Sequence, residues 1–174
     1  MSDALNTTPS SNPNSTPATV SAPHFTENPF AILAETFERT SGVYLDKGTD
    51  FFSTLAALSA EQASSPVFGV SVAAQTVHTA FYLRAMERYF EGFTGKTDWE
   101  ESWTVQRVTE LEWDALRTQL QDDYERVVGE LRAVTRWDEN ALDFAMTVAV
   151  HSAYHLGAVR QLVKAAGVVR EEQK

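Results

Sequence analysis

Three of the chain's four histidines fall on helical spacings that turn them to one side. Phe144, Val148, His151, His155, Val159 and Leu162 recur every three or four residues, which traces one face of an α-helix. His151 and His155 therefore lie one turn apart, and an i, i+4 pair sets two imidazoles about 6 Å from each other, close enough to share one cation at about 2.0–2.1 Å per bond. A second stripe, Ala74, His78, Phe81 and Ala85, turns His78 inward as well. Three imidazoles from two helices make a facial site with open positions, the arrangement a catalytic metal needs and a structural one does not. A single histidine on an apolar face is ordinarily a core residue bonded to a carbonyl or hydroxyl. Three on inward faces, two of them at ligand spacing, point instead to His78, His151 and His155 as metal ligands.

What the sequence lacks narrows that chemistry. It has no cysteine, so disulfides, thiolate zinc sites, iron–sulfur clusters and a Cys nucleophile are excluded together, and any metal must be held by His and carboxylates. The run His151-Ser152-Ala153-Tyr154-His155 lacks the Glu that follows the first His of a zincin. No Glu stands three residues before any His, which removes the ferritin-like di-iron set. Neither Gly-x-x-x-x-Gly-Lys nor Gly-x-Gly-x-x-Gly occurs, so there is no sequence case for a nucleotide. Fourteen basic against 24 acidic residues give a formal charge of −10, which repels phosphate backbones and anionic lipid; neither a nucleic acid nor a membrane is expected as a partner. No run approaches the roughly 18 apolar residues of a membrane helix, and no basic stretch leads into an apolar one, so a cytoplasmic protein is expected.

The elements that must carry the histidines are read from composition and period. Residues 1–27 are mostly Ser, Thr, Asn and Pro, include Pro9, Pro13, Pro17 and Pro23, and hold only two of the 24 acidic residues, Asp3 and Glu27. Such a segment buries too little apolar area to offset its ordering entropy and is expected to be a disordered tail, leaving a domain over 28–168 and a short C-terminal tail at 169–174. Asn28-Pro29 resembles a cap followed by Pro at the first helical position, and Phe30, Leu33, Phe37, Tyr44, Phe51, Leu55 and Leu58 extend the pattern over 28–58, with Gly42 and Gly48 weakening it. Further helices are expected over 69–92, 104–135 and 139–166, the last capped by Asp138 and ended by Gly167. Nothing alternates with period two, so the fold class is all-α and the natural packing a four-helix bundle. The second helix is about 36 Å long and the residues after it can stretch about 40 Å, so a full-length crossover between helices two and three is feasible.

With one His early in helix two (Gln75-Thr76-Val77-His78) and His-x-x-x-His-x-Gly in helix four (His151, His155, Gly157, then Arg160-Gln161), the chain resembles the DinB/YfiT-like superfamily of metalloenzymes over about residues 30–166. The resemblance implies an up-down-down-up bundle with a long connection between helices two and three. It also implies a divalent metal, often zinc or nickel, on His78, His151 and His155. Members are frequently homodimers, and the characterised enzymes are largely thiol-dependent S-transferases and related isomerases that use low-molecular-weight thiols. One position departs from the pattern: Ala158 follows the helix-four Gly, where members often carry Gln.

A divalent ion on three neutral imidazoles keeps its charge and can lower the pKa of a bound water or thiol. Gln75, Tyr82 and Thr147 lie within one turn of the ligands on the same faces and could partner them, though a residue so placed is more often an ordinary packing residue with a satisfied polar group. No carboxylate shares such a face within a turn. Trp99, Trp103 and Trp113 cluster around the crossover, where they either wall a pocket over the metal or belong to the core. The charges Glu110, Glu112, Asp114, Arg117, Asp122, Asp123, Glu125 and Arg126 read as a solvated face. The expected function is a metal-dependent thiol transferase or hydrolase acting on a small molecule. The alternative is a non-catalytic, stress-associated dimeric bundle with a structural or vestigial metal site.

Overall fold

The computed structural model describes residues 22–167, and within them every regular element is a helix. Six α-helices follow in order: α1 (Ala22–Phe37), α2 (Phe51–Ala56), α3 (Ala60–Ala63), α4 (Val72–Phe90), α5 (Glu110–Ala133) and α6 (Glu139–Ala165), with one 3-10 turn at Glu100–Trp103 before α5. Among the described residues there is no strand beyond an isolated bridge between Val67 and Val70. No described helix is long and apolar enough to cross a membrane. The all-α reading holds.

The first expected helix does not. One helix was expected over 28–58, but α1 starts at Ala22, carries Pro29 in its interior and stops at Phe37, and a new helix forms only at Phe51. The reason lies in Glu35, whose carboxylate draws the amides of Gly42, Val43, Tyr44 and Leu45 to itself at 2.6–3.2 Å. Those N–H groups thereby leave the i−4 ladder that a continuing helix would need. Gly42 supplies the left-handed turn (φ +88°) that lets the chain curl around the carboxylate. Asp50 then restarts the helix by accepting from Ser53 N at 2.8 Å. Tyr44, expected inside, is exposed. Residues 22–27 of the expected tail are thus helical, while 1–21, and residues 168–174 at the other end, lie outside the described residues.

The remaining boundaries follow their caps. Ser71 caps α4 by accepting from Ala74 N, Thr109 and Glu112 close a capping box on α5, and Asp138 caps α6 through Ala141 N as expected. At the far end of α4, Gly92 takes φ +101° so that Phe93 N can reach Arg88 O at 2.8 Å.

α4 packs against both α5 and α6, and α1 lies on α6. Phe37 stacks with Phe51 at 5.2 Å and with Tyr124 at 4.6 Å between ring centroids, joining α1, α2 and α5. Each such fully buried ring contributes about 1.5–3 kcal/mol by burial and aromatic pairs about 0.5–1.5 more. One polar contact crosses this packing where solvation was expected. Asp123 is fully buried, pairs with Arg84 at 2.5 Å and with Arg126, and accepts from Gln119 at 2.9 Å. It is therefore a tie between α4 and α5 and no part of a solvated face, because a charge with three donors around it can leave water.

The segment between α4 and α5 is anchored at its C-terminal side. Ser71 Oγ donates to Gln106 O at 2.7 Å, and Ser64 Oγ accepts from Val108 N at 2.9 Å. These bonds fix the chain that arrives from the 3-10 turn beside the start of α4, where His78 lies.

Candidate metal centre

His78 projects from α4 and His151 and His155 from α6, and one ring nitrogen from each lies within 4.8 Å of the others. Ring centroids are 4.5 Å apart for His78 and His155, 4.4 Å for His151 and His155, and 5.5 Å for His78 and His151. His78 and His155 are buried and His151 half-buried. The helical stripes thus bring all three expected ligands together.

Their hydrogen bonds determine which nitrogen each ring can offer. Ser102 Oγ lies 2.7 Å from His78 Nδ1 and donates its own proton to Trp99 O at 2.6 Å. The serine proton is committed, so His78 Nδ1 must carry the hydrogen and Nε2 the lone pair. His155 Nδ1 lies 2.7 Å from Gln75 Oε1, a carbonyl oxygen that can only accept, which gives His155 the same tautomer. His151 Nε2 is buried and has no hydrogen-bond partner among the described residues. Ser152 Oγ shares that condition, so the missing partner alone is not diagnostic. What distinguishes His151 is that a ring nitrogen from each of two further imidazoles lies within 4.8 Å of its own.

All three rings are held neutral. Burial pushes the His78 imidazole below its ordinary value; burial, then the neighbouring His78, takes His151 down to about 4. Burial, then His151 and His78, takes His155 to about 3. Neutral imidazoles with free lone pairs are what a divalent cation requires. The cluster therefore fits a metal held by nitrogen alone.

The three expected partners separate. Gln75 bonds His155 directly. Tyr82 stacks flat on His151, with centroids 3.5 Å apart and 12° between planes, while its hydroxyl makes only a 3.5 Å contact to the Thr147 carbonyl. Burial pushes the Tyr82 phenol up to about 12. Thr147 meets Tyr82 through its backbone and shares with it, Met146, Val150, His151 and Tyr154 a cleft of about 480 Å³.

The tryptophans separate too. Trp103 stacks on His78 at 4.1 Å and 17°, forming a wall of the site. Trp99 lies against Phe81 and Tyr82 at 6.0 and 5.8 Å. Trp113 is core, fully buried with its indole N–H given to Leu58 O at 3.0 Å. Ser102 was absent from the sequence reading altogether. It stands 24 positions from His78 in a segment without period, and only the neighbouring tryptophans hinted that this segment returns to the site.

No family model matches the chain, and no curated protein or solved structure matches it.

Proposed function

We propose that the chain is a divalent-metal-dependent enzyme of the DinB-like kind, in which His78, His151 and His155 hold zinc or nickel and a thiol or water nucleophile is activated there. The observation that carries this reading is the convergence of three neutral imidazoles, one with a buried and unpartnered Nε2, within 4.8 Å. Three neutral ligands leave a divalent ion its full charge, which lowers the pKa of a thiol or water bound at an open position.

The chain's own residues do the rest of the work. Ser102 and Gln75 hold the Nδ1 protons of His78 and His155 and so aim both rings. Tyr82 fixes the plane of His151 and, with its phenol raised to about 12, stays protonated near neutrality and takes no proton. The cluster contains no carboxylate, so the proton released by the nucleophile passes to solvent. Because the chain has no cysteine, a reactive sulfur must arrive with a low-molecular-weight thiol substrate. The cleft beside His151, with Met146, Val150 and Tyr154 on its wall, suits an uncharged acceptor; a water nucleophile in the same position would make the reaction a hydrolysis.

The order of side-chain pairs supports the up-down-down-up arrangement. Arg84 and Glu87 of α4 meet Asp123 and Arg126 of α5 in ascending order on both helices, as parallel neighbours do. Gln75 and Phe90 meet His155 and Phe144 of α6 in opposite orders, as antiparallel neighbours do. Parallel neighbours require the long crossover that delivers the 3-10 turn to His78.

A second reading, a non-catalytic stress-associated homodimer, is favoured by the exposure of Met146, Val150 and Tyr154 along one stripe of α6. Two measurements separate them. Purified protein should contain near-stoichiometric metal, absent in His78→Ala, His151→Ala and His155→Ala. Conjugation of a small thiol to an electrophile should then be sensitive to chelator. Metal without chelator-sensitive turnover favours the dimer reading, and a wild type that takes up neither zinc nor nickel overturns the metal-dependent one.

A further inference from the structure

The His78 ring is enclosed by a short piece of chain that belongs to neither helix of the site. Ser102 and Trp103, both from the 3-10 turn, meet the ring on two sides: the serine on its Nδ1 edge at 2.7 Å and the indole on its face at 4.1 Å. Ser102 is almost fully buried, with 1% of its surface exposed, so no water competes for its oxygen. Its hydroxyl proton goes to Trp99 O three residues back, which orients the oxygen lone pairs toward the ring. The bond pattern is directional, running from His78 Nδ1–H to Ser102 Oγ and from Ser102 Oγ–H to Trp99 O.

We propose that Ser102 is a positioning residue for the metal centre: as an obligatory acceptor it locks His78 in the Nδ1–H tautomer, so that Nε2 presents its lone pair to the cation, and it thereby couples metal binding to the seating of the 3-10 turn. This rests on the metal reading above and adds to it a residue from outside the bundle helices. The physical requirement is simple. A neutral imidazole in water favours the Nε2–H form, which would place a proton where the cation must sit. A fixed acceptor at Nδ1 reverses that preference before any metal arrives. Groups of this type, hydrogen-bonded to a ligating imidazole, typically change metal affinity 10–100-fold when removed. Gln75 does for His155 what Ser102 does for His78, but it stands on α4 itself and so cannot couple the site to the crossover. Coupling through Ser102 has a reciprocal consequence: what stabilises the seated turn strengthens metal binding, and metal binding protects the turn.

The test compares wild type with Ser102→Ala, Ser102→Thr and His78→Ala in the full-length chain. Zinc affinity is measured by competition with a chromophoric chelator, and in the metal-free protein the His78 tautomer is read from imidazole nitrogen chemical shifts. Ser102→Ala is expected to bind zinc 10–100-fold more weakly and to lose the Nδ1–H tautomer, whereas Ser102→Thr, which keeps the hydroxyl, stays within about threefold of wild type. Zinc should slow amide exchange across Trp99–Thr104 in wild type and fail to do so in Ser102→Ala. If Ser102→Ala binds zinc as wild type does while His78→Ala does not, the positioning role is overturned and the metal site stands. If wild type shows the Nδ1–H tautomer yet takes up no zinc, the metal reading is overturned and the positioning role with it. A loss of affinity in Ser102→Ala that Ser102→Thr does not restore, with the tautomer unchanged, would mark Ser102 as packing only.

Discussion

Glu35 and the three-histidine cluster are both titratable groups taken out of water, and they are treated in opposite ways. Glu35 is fully buried and saturated: the Ser41 hydroxyl and the amides of Gly42, Val43, Tyr44 and Leu45 all donate to its two oxygens. Burial alone would raise its pKa, but the bonds from Leu45, Val43, Tyr44 and Ser41 outweigh that and hold the carboxyl below its usual range. Two of the histidines are bonded on one edge only, His78 Nδ1 by Ser102 and His155 Nδ1 by Gln75. A ring nitrogen of each of the three lies within 4.8 Å of the others, and among the described residues His151 Nε2 is left buried and unpartnered. A polar group that exists to shape the chain is bonded on every side, because any open valence there is a cost to folding. A polar group that exists to bind something keeps one valence open, and the fold absorbs that cost.

The largest expected effects fall on metal binding, where the two regions should respond in opposite ways. At free zinc a hundredfold above the dissociation constant, wild type should gain about 2.7 kcal/mol of stability, and His155→Ala should gain none. Glu35→Ala should keep the whole of that increment. The measurement is chemical denaturation with and without zinc. An equal zinc increment in wild type and His155→Ala would mean that the cluster does not bind the ion and that its open valences are only a packing defect.

Without metal the order reverses. Glu35→Ala strands five donors in a loop that can partly refill with water, and about 2 kcal/mol of stability should be lost. His151→Phe removes an unpartnered buried nitrogen and keeps a flat ring against Tyr82, so the metal-free protein should be unchanged or slightly more stable. Urea midpoints of the two variants decide this. A His151→Phe loss as large as that of Glu35→Ala would place the histidine among the structural polar groups.

The two regions also differed in how far the sequence disclosed them. The histidine cluster was readable because its positions repeat with the helical period, and a period survives without knowledge of the fold: Ala74, His78 and Ala85, or Val148, His155 and Val159, need only be helical to share a side. The cap of α6 at Asp138 was readable for a related reason, since one residue type satisfies a local need. The Glu35 loop was not. Its five donors come from a stretch whose backbone angles are set by the carboxylate it surrounds, and the sequence there shows only Gly42 as a sign of the turn. Asp123 was misread because charge predicts solvation only while no cations cover the group, and Arg84 comes from another helix 39 residues away. Ser102 and Trp103 reach His78 through a tertiary contact of an irregular segment, for which no spacing rule exists.

Acid should separate the regions along the pH axis. Between pH 6.5 and about 4, the unfolded chain takes up protons on its histidines while folded His151 and His155, lowered to about 4 and about 3, do not. The unfolded state then binds more protons, so stability of the metal-free protein falls with falling pH across that window. Glu35, whose carboxyl is lowered from 4.5, adds a further loss only below that value. Urea midpoints taken in steps of pH should show the upper slope flattened in His155→Ala and the lower one reduced in Glu35→Gln. The same slope in wild type and His155→Ala above pH 4.5 would remove His155 from the linkage.

The smallest expected effect tests whether the aromatic wall of the cluster acts by shape or by its polar end. The Tyr82 hydroxyl sits at the outer limit of a hydrogen bond, 3.5 Å from the Thr147 carbonyl, whereas its ring lies flat on His151 at 3.5 Å between centroids. A contact that long contributes little, so Tyr82→Phe should change stability by no more than about 0.5 kcal/mol and leave zinc affinity within about twofold. With a phenol pushed up to about 12, the hydroxyl also keeps its proton throughout the neutral range, so the pH profile of any chelator-sensitive turnover should be unmoved. Tyr82→Leu, which removes the flat ring, should weaken zinc binding more than Tyr82→Phe does, because His151 has a free Nε2 to aim and the ring is what sets its plane. Should Tyr82→Phe cost as much as Tyr82→Leu, the hydroxyl and not the ring would be the working part, and the open side of the cluster would have a fourth polar group after all.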